Sequence, residues 1–406
     1  QHEINITKRS GQKELFQLQK WQAQIAKVCE GVADVSPSMI EIAASPHFYN
    51  GMTTVELDQI ALRAMVGLID EESNPYGNVN YQYVAGKQRI SMLRKDVYGS
   101  YQPPHLYEIV KKNIELGLYT SELLDWYSEE DWDYLNKHIE HAKDELMSFA
   151  AVEQLVDKYL VRNRATGSIV ETPQIRYMIA AATAFHAETK DRLKWVKDFY
   201  NAASDGLFTL ATPVLAGLGT KTKQFSSCVL LKTDDTLKSI FATGQVMADY
   251  ASKRAGIGLE IGRMRPLGAA IRGGEVMHTG ILPFLKKWYG DLRSCSQGGI
   301  RNASATVNMP IWHYQFDDYI VLKNNKGTEE TRVRQLDYCV VLSSFFWRRF
   351  RERGNITFFD PNQAPDLYQA FYSDSKLFEE LYLKYEHRKD LAKKVVAAET
   401  VFKDWI

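Results

Sequence analysis

Gln224-Phe225-Ser226-Ser227-Cys228-Val229-Leu230-Leu231 is followed by Lys232-Thr233-Asp234-Asp235-Thr236, and later by Arg254-Ala255-Gly256-Ile257-Gly258-Leu259-Glu260-Ile261-Gly262. Between them Leu237, Ile240, Phe241, Met247 and Tyr250 recur at helical spacing. The run reads as strand, helix, strand. Asp and Thr just before an apolar repeat are helix-start residues, and Gly256 is placed to cap the helix at Arg254-Ala255-Gly256. The same alternation continues to about residue 345, the pattern of a sheet with crossover helices, so the second half is α/β. The glycines follow a helix, enter a strand and are spaced G-x-G-x-x-x-G. A dinucleotide-binding turn has the opposite order and a tighter spacing, so no nicotinamide site is read here.

The chemistry-bearing residues cluster on the same segment. Arg263, Arg265 and Arg272 surround Gly268, Gly273 and Gly274, and a second Gly-Arg loop follows at Ser296-Gln297-Gly298-Gly299-Ile300-Arg301. Glycine lets backbone approach a ligand closely, and arginine offers a planar donor fork for phosphate. The alternative is a solvated loop. Cys228 lies in a small-residue context upstream of both loops. The four cysteines, Cys29, Cys228, Cys295 and Cys339, form no C-x-x-C or zinc spacing, so neither a disulfide scaffold nor a metal site is indicated. Cys29, Cys295 and Cys339 read as core.

Lys+Arg and Asp+Glu balance at 50 each in 406 residues, so no global positive field exists for a nucleic-acid polymer and phosphate recognition must be local. No apolar run reaches the roughly 18 residues of a membrane span, and no secretory signal is visible, so a cytoplasmic location is expected.

Residues 1–98 read as a small module: a hairpin around Arg9-Ser10-Gly11-Gln12, a helix with the stripe Leu18, Trp21, Ile25 and Val28, and a helix opened by the capping box Thr53-x-x-Glu56. A third helix carries Ile90, Leu93, Arg94 and Lys95. Lys8, Arg9, Lys20 and Lys95 either converge on a phosphate or form a solvated face. Residues 99–221 read as a helical scaffold that Pro213 ends by disfavouring a helical Thr212. Residues 222–406 form the α/β part and finish with two amphipathic helices near 376–387 and 390–406, the second carrying Val395, Val396, Val401, Phe402, Trp405 and Ile406. That bulky apolar finish is expected to need cover from a continuation of the chain or a second polypeptide.

Ser226-Ser227-Cys228, Arg254-Ala255-Gly256-Ile257-Gly258, Ile271-Arg272-Gly273-Gly274, Ser296 to Arg301, Pro310-x-Trp312-His313 and Leu322-Lys323-Asn324-Asn325 closely resemble, in order and spacing, the large subunit of class I ribonucleotide reductases. The resemblance implies an N-terminal ATP-cone and helical domain followed by the first part of a ten-stranded α/β barrel. It makes Cys228 one of two thiols that reduce the ribose 2′-carbon and end as a disulfide, with Thr212, Ser227 and Arg301 toward the substrate. It assigns Asp235, Thr236, Leu237, Arg265 and Arg272 to a specificity-effector site, and Lys8, Arg9, Glu14, Lys20, Thr54 and Lys95 to the activity site of the ATP-cone. Effectors would be ATP, dATP, dTTP and dGTP with Mg²⁺. Implied partners are a second copy of the chain, a small subunit holding a metal-radical cofactor, and thioredoxin or glutaredoxin. His313 reads as structural.

Two departures from the family pattern stand out. Where the ATP-cone usually carries His after its capping box this sequence has Asp58, and Ser91 stands where Phe is expected, so inhibition by dATP is not expected. The family's Asn-x-Cys-x-Glu catalytic finger is absent from these residues, so the radical cysteine and the partner of Cys228 must come from a C-terminal portion. A regulatory nucleotide-binding module without catalysis is the alternative.

Overall fold

The computed structural model describes residues 4–70, 72, 75–253, 255–295 and 303–405. They fall into two units, 1–225 and 226–406.

The first unit opens with β1 (Asn5–Thr7) paired antiparallel to β2 (Lys13–Leu15), around the Arg9 to Gln12 turn. Behind it pack the helices Leu18–Cys29, Pro37–Ala44, Thr54–Gly67 and Tyr81–Tyr98. The capping box forms as the sequence predicts: Thr53 Oγ1 accepts from Glu56 N at 3.1 Å, and Glu56 Oε2 accepts from Thr53 N at 2.7 Å. Trp21, Ile25, Val28, Ile40, Leu57 and Met65 fill one core, although Leu18 of the expected stripe is exposed.

Helix Tyr81–Tyr98 serves two cores at once. Tyr81, Val84 and Ala85 point into the first core, whereas Ile90 and Leu93 join Val152, Leu155, Val156 and Ala180 of the following helices. Its Arg94 donates to Glu145 Oε1 at 2.7 Å and to the His141 carbonyl at 2.5 Å. The remaining helices of this unit include Leu106–Glu115, Phe149–Lys158, Pro173–Ala184 and Arg192–Ser204. The unit's last helix, Thr212–Gly217, corrects the reading of Pro213 as a terminator. Proline lacks an N–H, but the first turn of a helix has no use for one, so Pro213 starts this helix.

In the second unit β3 (Cys228–Lys232), β4 (Gly256–Glu260), β7 (Ala305–Pro310) and β8 (Asp337–Val341) form a parallel sheet in that spatial order. A small antiparallel hairpin, β5 (Ala270–Ile271) with β6 (Val276–Met277), projects between β4 and helix Leu282–Cys295. Strand β3 begins at Cys228 rather than Gln224. Gly256 is the first residue of β4, while Lys253 is the residue that caps helix Leu237–Ser252.

Side chains alternate between the faces of a strand. On one face Ile257, Leu259, Val307 and Met309 pack with Ile240, Met247, Leu285, Trp288 and Leu292 in the main core, where each large side chain contributes about 1.5–3 kcal/mol. The other face carries Cys228, Leu230 and Lys232 on β3, Gly258 and Glu260 on β4, Thr306 and Asn308 on β7, and Asp337 and Cys339 on β8. Leu230 there is 83% exposed. Gly258 suits this face, because a Cβ on it would lie 2.6 Å from Leu230 Cδ2.

Strand β9 (Asn355–Phe359) pairs antiparallel with β10 (Lys393–Ala397), and helices Pro365–Ser373 and Ser375–His387 lie between them. The first of the two expected terminal helices is present. The second, 390–406, is a correction: residues 393–397 are a strand, followed by one short helical turn and a π turn at Val401–Trp405. Val395 and Val396 favour extended backbone, and β9 offers a ladder that a surface helix would forgo. Phe402 packs on Trp347 and Phe350, and Trp405 stacks on Phe358 at 6.1 Å, so those two residues have partners; Ile406 lies outside the described residues.

Gly86 marks the tightest approach to helix Tyr81–Tyr98: a Cβ there would sit 2.1 Å from the backbone oxygen of Met147. Gly86→Ala should therefore destabilise the protein by about 1–3 kcal/mol despite alanine's better helix propensity, read as a lower urea midpoint.

Candidate functional site

In the first unit all six residues assigned to the activity site line one cavity of about 420 Å³: Lys8, Arg9, Glu14, Lys20, Thr54 and Lys95. The hairpin brings Lys8 and Arg9, helix Leu18–Cys29 brings Lys20, helix Thr54–Gly67 begins at Thr54, and helix Tyr81–Tyr98 brings Lys95. Four cations line one concavity, a charge arrangement suited to a phosphate. Lys8 is held by Glu14 at 2.6 Å, and the ammonium of Lys95 lies 4.2 Å from the centre of the Tyr101 ring. Phe16, Trp21 and Tyr101 add aromatic walls that a base can stack on. Gly99 and Tyr101 were missed in the sequence because they lie beyond the 1–98 boundary; the turn after Gly99, a left-handed C-cap at φ +68°, folds Tyr101 back to the cavity.

Asp58 is in the wall of the same cavity and only 7% exposed. Burial pushes its carboxyl above the usual range, opposed by a hydrogen bond from Gln24 and by the charges of Arg9 and Lys95. Gln24 Nε2 donates to it at 3.2 Å, and Arg9 Nη1 lies 3.5 Å away. The carboxyl group thus lies in the cavity wall beside Arg9, whose other nitrogen Asp96 holds at 3.2 Å. Ser91 is half-buried on helix Tyr81–Tyr98.

In the second unit the specificity set gathers at the carboxyl ends of β3 and β4, where open parallel sheets place their ligands. Asp235 Oδ1 accepts from the backbone N–H of Arg265 at 2.9 Å, and Oδ2 accepts from Arg265 Nε at 2.5 Å. Thr236 caps helix Leu237–Ser252 by accepting from Ser239 N at 3.1 Å, and Leu237, the first helical residue, is 64% exposed. Arg265 Nη1 donates to the carbonyl of Ala270 at 2.9 Å, which ties the cradle to the β5–β6 hairpin. Arg272 at its tip holds φ +51°, followed by Gly273 at +70° and Gly274 at +97°. A non-glycine residue there costs roughly 1–2 kcal/mol, a strain of the kind concentrated at ligand clamps. Neighbouring Arg263 pairs with Asp234 at 2.7 Å.

His313 is structural. It is fully buried, its Nε2 lies 2.7 Å from the Met264 carbonyl, and Gln315 N donates to its Nδ1 at 3.1 Å. Burial lowers its pKa to about 4, so it is a neutral strut beneath Arg263 and Arg265.

Cys228 is exposed on the open face of the sheet and opens the strand whose other end runs into Asp234 and Asp235. Half-buried Ser227 precedes it and gives its carbonyl to Gly256 N at 2.8 Å. Thr212 belongs to the first unit, where its hydroxyl is 3.5 Å from that of Tyr159, so the substrate set is not assembled within one unit. Arg301 and the loop from Ser296 lie outside the described residues. Cys29 is buried as expected, which raises its thiol to about 11. Two thiol assignments need correction: Cys339 is exposed and Cys295 only half-buried. A strand-like run does not say which face each residue takes, and Cys339 shares the open face with Cys228 across two intervening strands.

Among the described residues no helix is long and apolar enough to cross a membrane, and no group of three or more His, Cys, Asp or Glu is poised for a metal ion.

Removing the charge of Asp58 should take a carboxylate out of the cavity wall and leave Arg9 paired with Asp96 alone, 3.2 Å away. Asp58→Asn is expected to tighten ATP and dATP binding about threefold to tenfold in calorimetry. An unchanged or weaker affinity would show that Asp58 chiefly positions Arg9.

Comparison with known proteins agrees with the geometry. The family described as "Ribonucleotide reductase, all-alpha domain" matches residues 145–223, and "Ribonucleotide reductase, barrel domain" matches 226–406. The chain is 43% identical over 400 residues to the ribonucleoside-diphosphate reductase subunit alpha of Haemophilus influenzae, covering 98% of this chain and 52% of that protein. With the Escherichia coli subunit 1 alpha and the Enterobacteria phage T4 subunit alpha it shares 42% and 39% identity over the same fractions. It therefore spans about half the length of these relatives. The chain belongs to the ribonucleotide reductase large-subunit family and corresponds to the N-terminal portion of its members.

Proposed function

We propose that this chain is the effector-binding and thiol-bearing part of a ribonucleoside-diphosphate reductase alpha subunit, which makes deoxyribonucleotides for DNA synthesis. The observation that carries the reading is the single strand β3, which has an exposed thiol, Cys228, at one end and the Asp235 cradle just past the other. Five residues of strand separate chemistry from control by about 16 Å.

In the reaction Cys228 and a second thiol each give up one proton and one electron. The ribose 2′-hydroxyl leaves as water, hydrogen takes its place, and the two sulfurs close a disulfide. An external dithiol, thioredoxin or glutaredoxin, then exchanges with that disulfide and restores both thiols. Thr212, Ser227 and Arg301 would hold the substrate. The second thiol and the radical cysteine belong to a C-terminal portion of the subunit, and the metal-radical cofactor to a small subunit.

The open face of the sheet supports the need for that portion. Parallel sheets are ordinarily covered on both faces. Here Leu230, Lys232, Asp337 and Cys339 are uncovered, as strands of an unclosed barrel would be; closure to the ten strands of the family fold would enclose them. The cradle around Asp235, Thr236, Leu237, Arg265 and Arg272 suits a triphosphate such as dTTP or dGTP, at the interface of a homodimer. The cavity around Lys8, Arg9, Lys20 and Lys95 suits ATP or dATP with Mg²⁺, in an ATP-cone that Asp58 leaves poorly disposed to dATP inhibition. A nucleotide effect at either site that changes substrate choice or rate would be allostery in the thermodynamic sense.

Mixing the chain with a C-terminal fragment carrying the Asn-x-Cys-x-Glu finger, a small subunit and thioredoxin should form deoxynucleotides over many turnovers. Cys228→Ser should abolish that turnover while leaving dTTP binding intact. Full multiple-turnover activity with Cys228→Ser would defeat the thiol assignment and leave a regulatory module.

A further inference from the structure

The Asp235–Arg265 clamp has a third member that comes from far along the chain. Asn362 Nδ2 donates to Asp235 Oδ2 at 3.0 Å, the same oxygen that accepts from Arg265 Nε. The turn carrying Asn362 follows β9 and is itself fixed. Buried Asp360 accepts from the backbone N–H of Asn362 at 2.9 Å, and its carbonyl accepts from Gln363 and Ala364 N–H at 3.0 and 3.1 Å. Just before the turn, Phe359 N donates to the Trp312 carbonyl at 2.7 Å, and just after it Gln363 Oε1 accepts from Ala392 N at 2.8 Å. The amide is therefore delivered to the cradle by a rigid turn, although the residue is exposed on its outer side.

We propose that Asn362 is a positioning residue of the effector cradle: it fixes the carboxylate plane of Asp235 and thereby aims the guanidinium of Arg265 at the effector phosphates. A carboxylate held only by Arg265 can rotate with it. Held also by Asn362 it is a fixed platform for Arg265, which is bound through its backbone N–H, Nε and Nη1. Because hydrogen bonds to charged groups are among the stronger kind, losing this one costs orientation as well as contact. Placement on the β9 turn also connects the cradle to the segment that pairs with β10, so a bound effector bears on a second part of the unit.

The chemistry of the site makes the role specific to an amide donor. Asp360 and Asp235 both stand beside residue 362. Asn362→Asp would add a third carboxylate and turn the donor into an acceptor, so it should damage the cradle more than Asn362→Ala. Asn362→Gln retains the donor on a longer arm and should restore most of the function. A role in folding alone would not produce that order, since all three changes sit on an exposed turn.

The inference rests on the effector reading above, so its test has one arm with nucleotide and one without. With Mg²⁺-dTTP as the probe, calorimetry on the full chain should show binding weakened roughly tenfold by Asn362→Ala, more by Asn362→Asp, and within about threefold of the parent for Asn362→Gln. Without nucleotide, phenylglyoxal modification of Arg265, followed by peptide mass mapping, should be several times faster in Asn362→Ala, with the thermal midpoint unchanged. Faster Arg265 modification together with no dTTP binding by the parent chain would sink the effector reading and leave the positioning role standing. Unchanged Arg265 reactivity and unchanged dTTP affinity in Asn362→Ala would overturn the positioning role.

Discussion

Sequential strand order governs the second unit. Neighbours β3, β4, β7 and β8 follow one another along the chain without a reversal, and crossovers of one hand then deposit every helix on the same face. A doubly wound sheet reverses direction and covers both faces; this one cannot. The consequence is a sheet with an apolar side, sealed by Trp288, Leu285, Met247 and their neighbours, and an open side reserved for Cys228, Lys232, Glu260 and Asn308. Apart from Leu230, the open-face residues are small or polar, as suits residues that line a space instead of a core. Glu260 illustrates the point: burial raises its carboxyl, yet Tyr368, Tyr372 and Gly262 N–H all donate to it at the strand end.

The same topology assembles the Asp235 cradle. Parallel strands put all their carboxyl ends on one rim, and the loops leaving β3 and β4 meet there. Asp235 and Arg265 come from those two loops, and their ion pair pins the rim together. His313 supports it from below through the Met264 carbonyl, and the β9 turn closes it from the side.

Local signals in the sequence were legible where local physics decides the structure. The Thr53 capping box, the Arg9 hairpin turn, the Thr236 cap and the glycine order that ruled out a dinucleotide turn all reappear. Convergence of Lys8, Arg9, Lys20 and Lys95 was not decidable from spacing, since a solvated face has the same pattern; in the structure the four line one cavity. What escaped depends on partners distant in sequence. Residues 393–397 read as helix because their amphipathic spacing fits one, and only the ladder with β9 makes them a strand. Cys339 was placed in the core because a lone strand does not reveal which side is filled. Asn362 carried no signal at all: 127 residues separate it from Asp235, and a polar residue in a turn is unremarked.

Helix Tyr81–Tyr98 gives the first unit a property that a boundary at residue 98 conceals. At about 27 Å it is a single rod with Val84 seated among the front helices and Leu93 seated among the rear ones. Lys95 faces the cavity, and its neighbour Arg94 grips His141 and Glu145. The front module therefore cannot be excised at its apparent border without tearing Ile90 and Leu93 from the bundle behind. Its transfer as a detachable module would require that the receiving bundle keep a socket for this rod. Gly86, against the Met147 carbonyl, is the part of the plug that fits that socket most closely.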